Sequence, residues 1–307
     1  MVIQVLRIAT RKSPLALWQA NHIGEKINQY WPSLRIELVP MSTTGDKFLR
    51  DKLQSIGGKG LFVKELEEAL LANRADIAVH SMKDVPATFP EGLALTTICD
   101  RHNPLDAFIA NNHRKLSELP PKSVVGTASL RRQAQLLALR PDLEIKPLRG
   151  NINTRLNKLH AGEYDAIILA VAGLERMEFQ NSINEILNED LMLPACGQGA
   201  LGIECRQDDR AIQDLLAPLN DSFTALCVSA ERQVNALLGG NCHAPLAVYC
   251  RAARKDQLEL RAKVLSIDGK KVISDTRTGH QSQAQDLAEA CAKALYAKGA
   301  AELLAQS

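Results

Sequence analysis

The first 99 residues alternate short apolar runs with amphipathic stretches, a pattern that predicts strands and helices in turn. Ser13 and Pro14 stand at the N-cap and first position of a helix that extends to about Tyr30, and a second helix covers 61–73. The predicted strands of this block are Val2–Ala9, Leu34–Met41, Ile77–Val79 and Gly92–Cys99. The order βαβαβ predicts an α/β lobe.

The sequence DRHNPL at 100–105 interrupts this pattern, and a second block of the same kind follows it. Its strands are predicted at 123–126, 143–148 and 165–171, each followed by a helix. The apolar run Ala200–Cys205 comes after a turn-rich crossing, and we expect it to return to the sheet of the first block. The predicted lobes are therefore 1–99 with 200–218, and 105–194, joined by two connections that can act as a hinge.

From Asp221 onward the pattern changes to that of a small α+β domain, predicted at 221–307. An amphipathic helix at 222–238 is followed by a glycine-rich loop and three strands with polar turns. A helix from about Gln283 closes the chain. The strand spacing predicts an antiparallel meander.

Composition excludes several classes of protein. At 307 residues, with 46% hydrophobic and 23% charged residues, the chain is typical of a globular protein with more than one core. A net charge of +2 and 4% aromatic residues do not favour a nucleic-acid partner. The longest apolar run, Ala166–Leu174, is far shorter than the ~20 residues of a membrane helix, and the N-terminus reverses the charge order of a signal peptide. We therefore expect a cytoplasmic protein without a membrane partner.

The cysteines predict neither a disulfide framework nor a metal site, because the seven of them include no CxxC pair and no HExxH motif is present. Most stand in apolar surroundings and are expected to be buried and unreactive. Cys242 differs, since it lies in the loop GGNCHAP beside His243. It is either a nucleophile, a covalent attachment point or a partly exposed structural cysteine.

Arginines recur where predicted strands end and helices begin. They are Arg11, Arg131, Arg132, Arg149, Arg155 and Arg176. Arg131 and Arg132 lie in the first turn of a helix, where the helix dipole disfavours cations, so we expect an anionic ligand to offset that cost. A single arginine at a helix end is commonly structural. If all of them converge on one cleft, they form a lining suited to a ligand with several carboxylates or phosphates.

The stretch DIAVHSMKDVP at 76–86 ends a buried strand in a polar turn, which begins at His80 and places Lys83 beside Asp84. Ligands bind at such strand ends in open α/β sheets. A carboxylate there can stabilise a cationic intermediate and transfer protons. Taken alone, the segment is more typical of a solvated turn.

The stretch 42–60 has little apolar periodicity and is predicted to be a mobile lid. Its glycine cluster around Lys59 lacks the spacing of a Walker A motif. The cluster can still present backbone N–H groups and one ammonium to an anion.

Several motifs together resemble the porphobilinogen deaminase (hydroxymethylbilane synthase) family of tetrapyrrole and haem biosynthesis. They are HSMKDVP, GTASLRR, LRGN, DAIILAVAGLER, PACGQGA and the glycine-rich cysteine loop, in the family's order over nearly the whole chain. The resemblance implies a monomeric transferase with two hinged, periplasmic-binding-protein-like α/β lobes and a small α+β domain. It would join four porphobilinogen molecules head to tail, lose ammonia at each step, and pass linear hydroxymethylbilane to a downstream cyclising synthase.

The resemblance also implies a dipyrromethane cofactor, held by a thioether to Cys242, and a catalytic carboxylate at Asp84. Cofactor and substrate binding is carried over to Arg11, Ser13, Gln19, Lys59, Phe62, Ser81, Lys83, Thr127, Ser129, Arg131, Arg132, Arg149, Arg155, Arg176 and Gln198. No metal is implied. Ala128, Cys196 and Asn241 depart from the family pattern, and none of them has a proposed chemical role.

Two other functions are compatible with parts of the sequence. A hinged two-lobe binding protein for a polycarboxylate ligand would share the lobes, but the third domain and the absence of a signal peptide count against it. A hydrolase with Cys242 as nucleophile and His243 as base is disfavoured, because adjacent side chains in an extended loop point apart.

Overall fold

The computed structural model describes residues 3–44, 62–86, 88–239 and 244–305. The strands are β1 (Val5–Arg11), β2 (Arg35–Met41), β3 (Ile77–Ser81), β4 (Leu93–Ile98), β5 (Asp106–Ala110), β6 (Val124–Gly126), β7 (Glu144–Lys146), β8 (Ala166–Ala170), β9 (Glu185–Leu187), β10 (Leu201–Arg206), β11 (Leu246–Arg254), β12 (Gln257–Leu265) and β13 (Val272–His280). The α-helices are α1 (Pro14–Tyr30), α2 (Lys64–Leu71), α3 (Leu130–Leu139), α4 (Ile152–His160), α5 (Val171–Arg176), α6 (Arg210–Leu216), α7 (Ser222–Leu237), α8 (Ala284–Ala297) and α9 (Ala300–Ala305).

The first compact unit comprises Met1–Arg101 and Ala200–Ala225. Its sheet has the order β2-β1-β3-β10-β4, with β1 parallel to β2 and β3, and β10 antiparallel to both of its neighbours. Successive side chains of a strand point to opposite faces of the sheet, and a different helix covers each face. Ile8 of β1 packs in the core that includes α1, and Ala9 packs in the core that includes α2.

The late strand β10 lies between β3 and β4, which confirms that it returns to the first sheet. The polar turn predicted from His80 is wrong at its start, because β3 continues to Ser81 and a 3₁₀ turn covers Met82–Asp84. Pairing with β10 extends the strand: His80 lies opposite Gly202, and Ser81 lies opposite Leu201.

The second compact unit comprises His102–Gly199 and Leu226–Ser307. Its five-stranded sheet has the order β7-β6-β8-β5-β9, and β5 runs antiparallel to both of its neighbours. The sequence pattern did not predict β5, although all five of its residues are buried. The four apolar residues after Asp106 are too few for a periodicity that separates a strand from a buried loop.

The same unit contains the predicted meander, since β11, β12 and β13 form a three-stranded antiparallel sheet in chain order. α7 and α8 contribute to its core, and α9 was not predicted as a separate helix. The turn between β12 and β13 packs on α3 at Gly269. A Cβ there would lie 2.4 Å from the Ala138 backbone nitrogen, and the φ of +72° also favours glycine.

The two mixed sheets and the antiparallel meander confirm the predicted fold class of α/β and α+β. The residue boundaries of the three domains stay a prediction. In the ranges that the structure describes, no helix is both long and apolar enough to span a bilayer.

Candidate active site

A pocket of about 70 Å³ lies in the first unit, where β1 and β3 end. Because β1 and β3 are parallel, their carboxyl ends meet at one edge of the sheet. The structure brings six of the predicted site residues together around this pocket. They are Arg11, Ser13, Gln19, Phe62, Ser81 and Asp84.

Local interactions hold these side chains in place. Ser13 is the N-cap of α1, as predicted, and its Oγ accepts a hydrogen bond from the Ala16 N–H at 3.3 Å. Gln19 Nε2 donates to Ser81 Oγ at 2.8 Å. The guanidinium carbon of Arg11 lies 4.3 Å from the centre of the Phe62 ring, which is a cation–π contact.

Asp84 ends the 3₁₀ turn and is exposed, whereas Lys83 beside it is half-buried. The carboxylate therefore reaches the pocket from its solvent side. A carboxylate among donors of this kind can stabilise a cation on a bound ligand.

A second group of polar residues at the pocket was not predicted as part of the site. His80 lines the pocket, and its Nε2 lies 2.9 Å from Glu204 Oε2. Both side chains are buried, with exposed fractions of 6% and 0%. A signal was present in the sequence, because Glu204 interrupts the apolar run ALGIEC and a buried carboxylate requires a partner.

Glu67 on α2 is also buried. Burial raises the pKa of Glu67 to about 7, and the negative charge of Glu204 adds to this effect while His80 opposes it.

Glu67→Gln is expected to make the protein more stable at pH 8 than the unmodified chain. A folded-state pKa of about 7 exceeds the ordinary value of 4.5, so the contribution of Glu67 to stability is greatest below pH 4.5 and is lost as the pH rises through 7. Because glutamine carries no charge at any pH, the substitution avoids this loss. The expected gain at pH 8 is up to about 3 kcal/mol in the free energy of unfolding. Urea unfolding at pH 5 and pH 8 measures it.

Glu25→Gln is the matched control, because Glu25 is an exposed carboxylate on α1 of the same unit. It should leave the pH dependence of unfolding unchanged. An identical pH dependence for Glu67→Gln and the unmodified protein would contradict the raised pKa.

The second unit contains a separate cluster around Asp106, the first residue of β5. Arg131 Nη2 donates to Asp106 Oδ2 at 2.7 Å, and Arg132 Nη2 donates to Asp106 Oδ1 at 2.7 Å. Gln198 Nε2 donates to Asp106 Oδ1 at 3.0 Å. Burial alone raises the pKa of Asp106, but the charges of Arg131 and Arg132 outweigh it and lower the pKa to about 2.

The cost of placing two arginines at the start of α3 therefore does not by itself require an anionic ligand, because a carboxylate of the chain already offsets it. Arg131 and Arg132 are buried, and the Asp106 carboxylate already opposes their unfavourable position at the helix N-terminus. Asp106 was not among the predicted site residues, although a single aspartate in the apolar stretch LDAFIA indicates a buried charge partner. Arg131 Nε is buried and makes no hydrogen bond within the described residues.

The hydroxyl groups predicted before α3 have local roles as well. Thr127 Oγ1 accepts a hydrogen bond from the Ser129 N–H at 3.2 Å. Ser129 Oγ caps α3 by accepting from the Arg132 N–H at 3.4 Å, which confirms the hydroxyl cap.

The remaining predicted arginines lie at three places in the second unit. Arg149 lies between β7 and α4, and Arg155 in α4 donates from Nε to the Gly150 carbonyl at 2.7 Å. Arg176 is the last residue of α5 and donates from Nη2 to the Gly199 carbonyl at 2.8 Å, so it does not follow a strand directly. Binding roles for these residues stay predictions.

Several predictions lie outside the described residues. They concern Lys59, Cys242 and the 45–60 part of the proposed lid. Five of the other cysteines are buried, as expected, and Cys196 is half-buried. Within the described part of the chain, no group of three or more His, Cys, Asp or Glu side chains is placed to hold a metal ion.

Two family models match successive parts of this chain. Residues 6–214 match the porphobilinogen deaminase, dipyromethane cofactor binding domain, and residues 225–297 match the porphobilinogen deaminase, C-terminal domain. The chain belongs to the porphobilinogen deaminase family. This confirms the assignment to a transferase of tetrapyrrole biosynthesis, hydroxymethylbilane synthase.

Similar proteins agree with the family assignment. Porphobilinogen deaminase of Legionella pneumophila strain Philadelphia 1 is 59% identical over 304 residues, 99% of this chain and 98% of that protein. The protein of that name from strain Lens is 58% identical with the same coverage.

Solved structures that resemble this chain include two binding proteins. The methionine binding protein MetQ has a TM-score of 0.45 at 12% identity and covers 75% of this chain and 96% of its own. The periplasmic aliphatic sulphonate binding protein SsuA from Escherichia coli has a TM-score of 0.41 at 13% identity, over 76% of this chain and 70% of its own.

Both polar clusters lie in the segment matched to the cofactor binding domain of the porphobilinogen deaminase family. That segment includes Asp84 at the pocket of the first unit and Asp106 in the second unit. Cys242 lies in the segment matched to the family's C-terminal domain. Matches over both segments favour a deaminase over a binding protein or a cysteine hydrolase.

Proposed function

We propose that this member of the porphobilinogen deaminase family assembles hydroxymethylbilane from four porphobilinogen molecules on a dipyrromethane cofactor joined to Cys242 by a thioether. One observation carries the proposal: a pocket at the strand ends of the first unit places the carboxylate of Asp84 among cationic, hydroxyl and amide groups. The same stretch of chain matches the family's cofactor binding domain.

The donor set of the pocket fits the cofactor that the family implies. The acetate and propionate groups of a pyrrole are carboxylates, and they require cationic and neutral hydrogen-bond donors. Arg11, Ser13 and Gln19 supply a guanidinium, a hydroxyl and an amide to the lining of the pocket. When bound, the cofactor supplies the pyrrole to which the first substrate molecule is joined.

Asp84 stabilises positive charge on the substrate. Loss of ammonia from porphobilinogen leaves a cation that is delocalised onto the ring nitrogen. A carboxylate held at the pocket by the 3₁₀ turn favours that cation over the neutral substrate. The adjacent Lys83 is proposed to bind a ligand carboxylate.

The cluster in the second unit is proposed to bind further carboxylates of the growing chain. Arg131 and Arg132 share the single carboxylate of Asp106, so the three side chains together carry a net positive charge. This charge attracts an anion even though each guanidinium already has a partner. The other residues proposed to bind cofactor or substrate are Lys59, Phe62, Ser81, Thr127, Ser129, Arg149, Arg155, Arg176 and Gln198.

We further propose that the protein acts in the cytoplasm as a monomer and passes its product to a cyclising synthase. The odd number of cysteines without CxxC spacing supports a reducing compartment. Transfer to a cyclising synthase is proposed because the linear product carries a reactive hydroxymethyl group at one end and a free pyrrole carbon at the other.

Intact mass measurement of the purified, denatured protein and of its Cys242→Ala variant tests the tether. The protein should carry an excess mass equal to two deaminated porphobilinogen units, and Cys242→Ala should not. Cys196→Ala is the control, because it removes another thiol outside the core and should keep the excess mass.

Protein without the excess mass is next incubated with porphobilinogen, which should load the cofactor. If no adduct forms after incubation, the tether at Cys242 is wrong. An adduct that persists in Cys242→Ala would place the attachment elsewhere.

A further inference from the structure

The buried pair of His80 and Glu204 has no role in the function described above, although His80 lines the pocket that Asp84 reaches. An imidazole and a carboxylate buried between apolar strands are costly compared with apolar side chains of similar size. Buried titratable groups beside a pocket are typical of sites that transfer protons.

The register of the sheet builds this pair. β3 and β10 are antiparallel, and His80 lies opposite Gly202, so Glu204 two residues further along β10 points to the same face. A Cβ at position 202 would lie 2.3 Å from Met82 Sδ and 2.7 Å from Leu95 Cδ1, so a larger residue there would require both side chains to move. Both residues of the pair are held on strands that are hydrogen-bonded to each other.

The hydrogen bond to Glu204 selects the tautomer of His80. A carboxylate only accepts hydrogen bonds, so the Nε2 that faces Glu204 carries the proton. The neutral imidazole then has a lone pair on Nδ1, which makes no hydrogen bond to any residue that the structure describes. An imidazole oriented by a carboxylate, with its second nitrogen unprotonated, is the arrangement of a general base.

We propose that His80, oriented by Glu204, is the base that removes the proton from the pyrrole carbon at which each new bond forms. The C–H bond at that carbon breaks, its electron pair restores the aromatic ring, and the proton moves to His80 Nδ1. The aminomethyl group of the incoming porphobilinogen enters as its ammonium form, and its C–N bond breaks with the electron pair on nitrogen, which leaves as ammonia. The acceptor pyrrole carbon supplies the electron pair of the new C–C bond to the methylene carbon. His80 returns its proton to the ammonia, so each addition releases one ammonium ion.

This inference rests on the proposed function and divides its chemistry between two residues. Asp84 stabilises the cation, and His80 removes the proton that must leave once the cation has reacted. Glu204 is a positioning residue, since it acts through the imidazole.

The charged groups around His80 come from several elements of the first unit. Glu204 on β10 and Glu67 on α2 are the acidic groups on the buried side, and Arg11 and Asp84 line the pocket. A positive charge on His80 is stabilised directly by Glu204 at 2.9 Å, and it also lowers the pKa of Glu67. The two carboxyl groups therefore compensate the charge that the base acquires.

His80→Gln tests the role of the base. Glutamine keeps an N–H donor near the Nε2 position for Glu204 but has no basic nitrogen. We expect kcat to fall by roughly 100-fold with little change in KM. Porphobilinogen with deuterium at its free α-carbon should show a larger isotope effect on kcat in this variant, since proton removal becomes slower.

His160→Gln is the control, because His160 is an exposed histidine on α4. It should change neither kcat nor the isotope effect. If His80→Gln does not fold, Glu204→Gln replaces it. That variant keeps the size of the side chain, and it should lower kcat and raise the isotope effect in the same direction.

A second readout needs no turnover. Nitrogen-15 NMR of histidine-labelled protein without cofactor should show His80 protonated on Nε2 and bare on Nδ1, with the signal assigned by its loss in His80→Gln. The reverse tautomer, or a His80→Gln variant with unchanged kcat and isotope effect, would overturn the inference. Failure of the proposed function is distinguishable, because the unmodified protein would then acquire no porphobilinogen-derived mass at Cys242.

Discussion

Asp84→Asn should lower turnover at least about 100-fold while the covalent cofactor remains attached. Asparagine has almost the same shape as aspartate but no negative charge, so the cation formed on loss of ammonia loses its stabilising partner. Asp84 is exposed, and its replacement should change the free energy of unfolding by no more than about 0.5 kcal/mol. Initial rates of ammonia release, intact mass and urea unfolding measure the three quantities.

Asp208→Asn is the matched control, because Asp208 is an exposed aspartate of the same unit that does not line the pocket. It should retain full turnover. Normal turnover in Asp84→Asn would contradict the proposed mechanism. Loss of the cofactor mass in that variant would instead place Asp84 in cofactor assembly.

Asp106→Asn should destabilise the folded protein by about 3–5 kcal/mol at neutral pH. The substitution leaves two buried guanidinium groups, those of Arg131 and Arg132, without the carboxylate that both of them bind. Since the pKa of Asp106 is lowered to about 2 from 3.8, its contribution to stability is present above pH 3.8 and is lost as the pH falls through 2. The variant and the unmodified protein should therefore converge in stability toward pH 2. Urea unfolding at pH 6 and pH 3 measures the difference.

Asp142→Asn provides the comparison for a solvent-exposed pair, because Asp142 binds Arg140 at the surface of the same unit. Asp142→Asn should lower the free energy of unfolding far less than Asp106→Asn does. An Asp106→Asn variant that is as stable as the unmodified protein would show that the buried arginines do not depend on this carboxylate.

Parts of the candidate site could be predicted from local sequence. The strand end before Arg11, the Ser13 cap and the hydroxyl cap at Ser129 all depend on neighbouring residues, which the sequence displays directly. The Lys83–Asp84 pair was placed in the correct turn, although β3 extends two residues further than predicted. The resemblance of several motifs to the porphobilinogen deaminase family then indicated the chemistry.

Other parts could not be predicted, because they depend on which distant segments become neighbours. Asp106 binds arginines about 25 residues away, and their spacing in the chain contains no sign of this contact. Likewise, His80 and Glu204 are 124 residues apart. Their pairing follows only from the register of β3 and β10, and hydrophobic patterning does not specify the register between strands.

The sequence by itself determined the local elements, the fold class and the family, because hydrophobic periodicity and short motifs act over a few residues. The tertiary structure decided the direction of β10 in the first sheet, the carboxylate that balances Arg131 and Arg132, and the buried base at the pocket. These features depend on contacts between segments that are far apart in the chain. Such contacts become defined only when the strands have paired and excluded water from the charges between them.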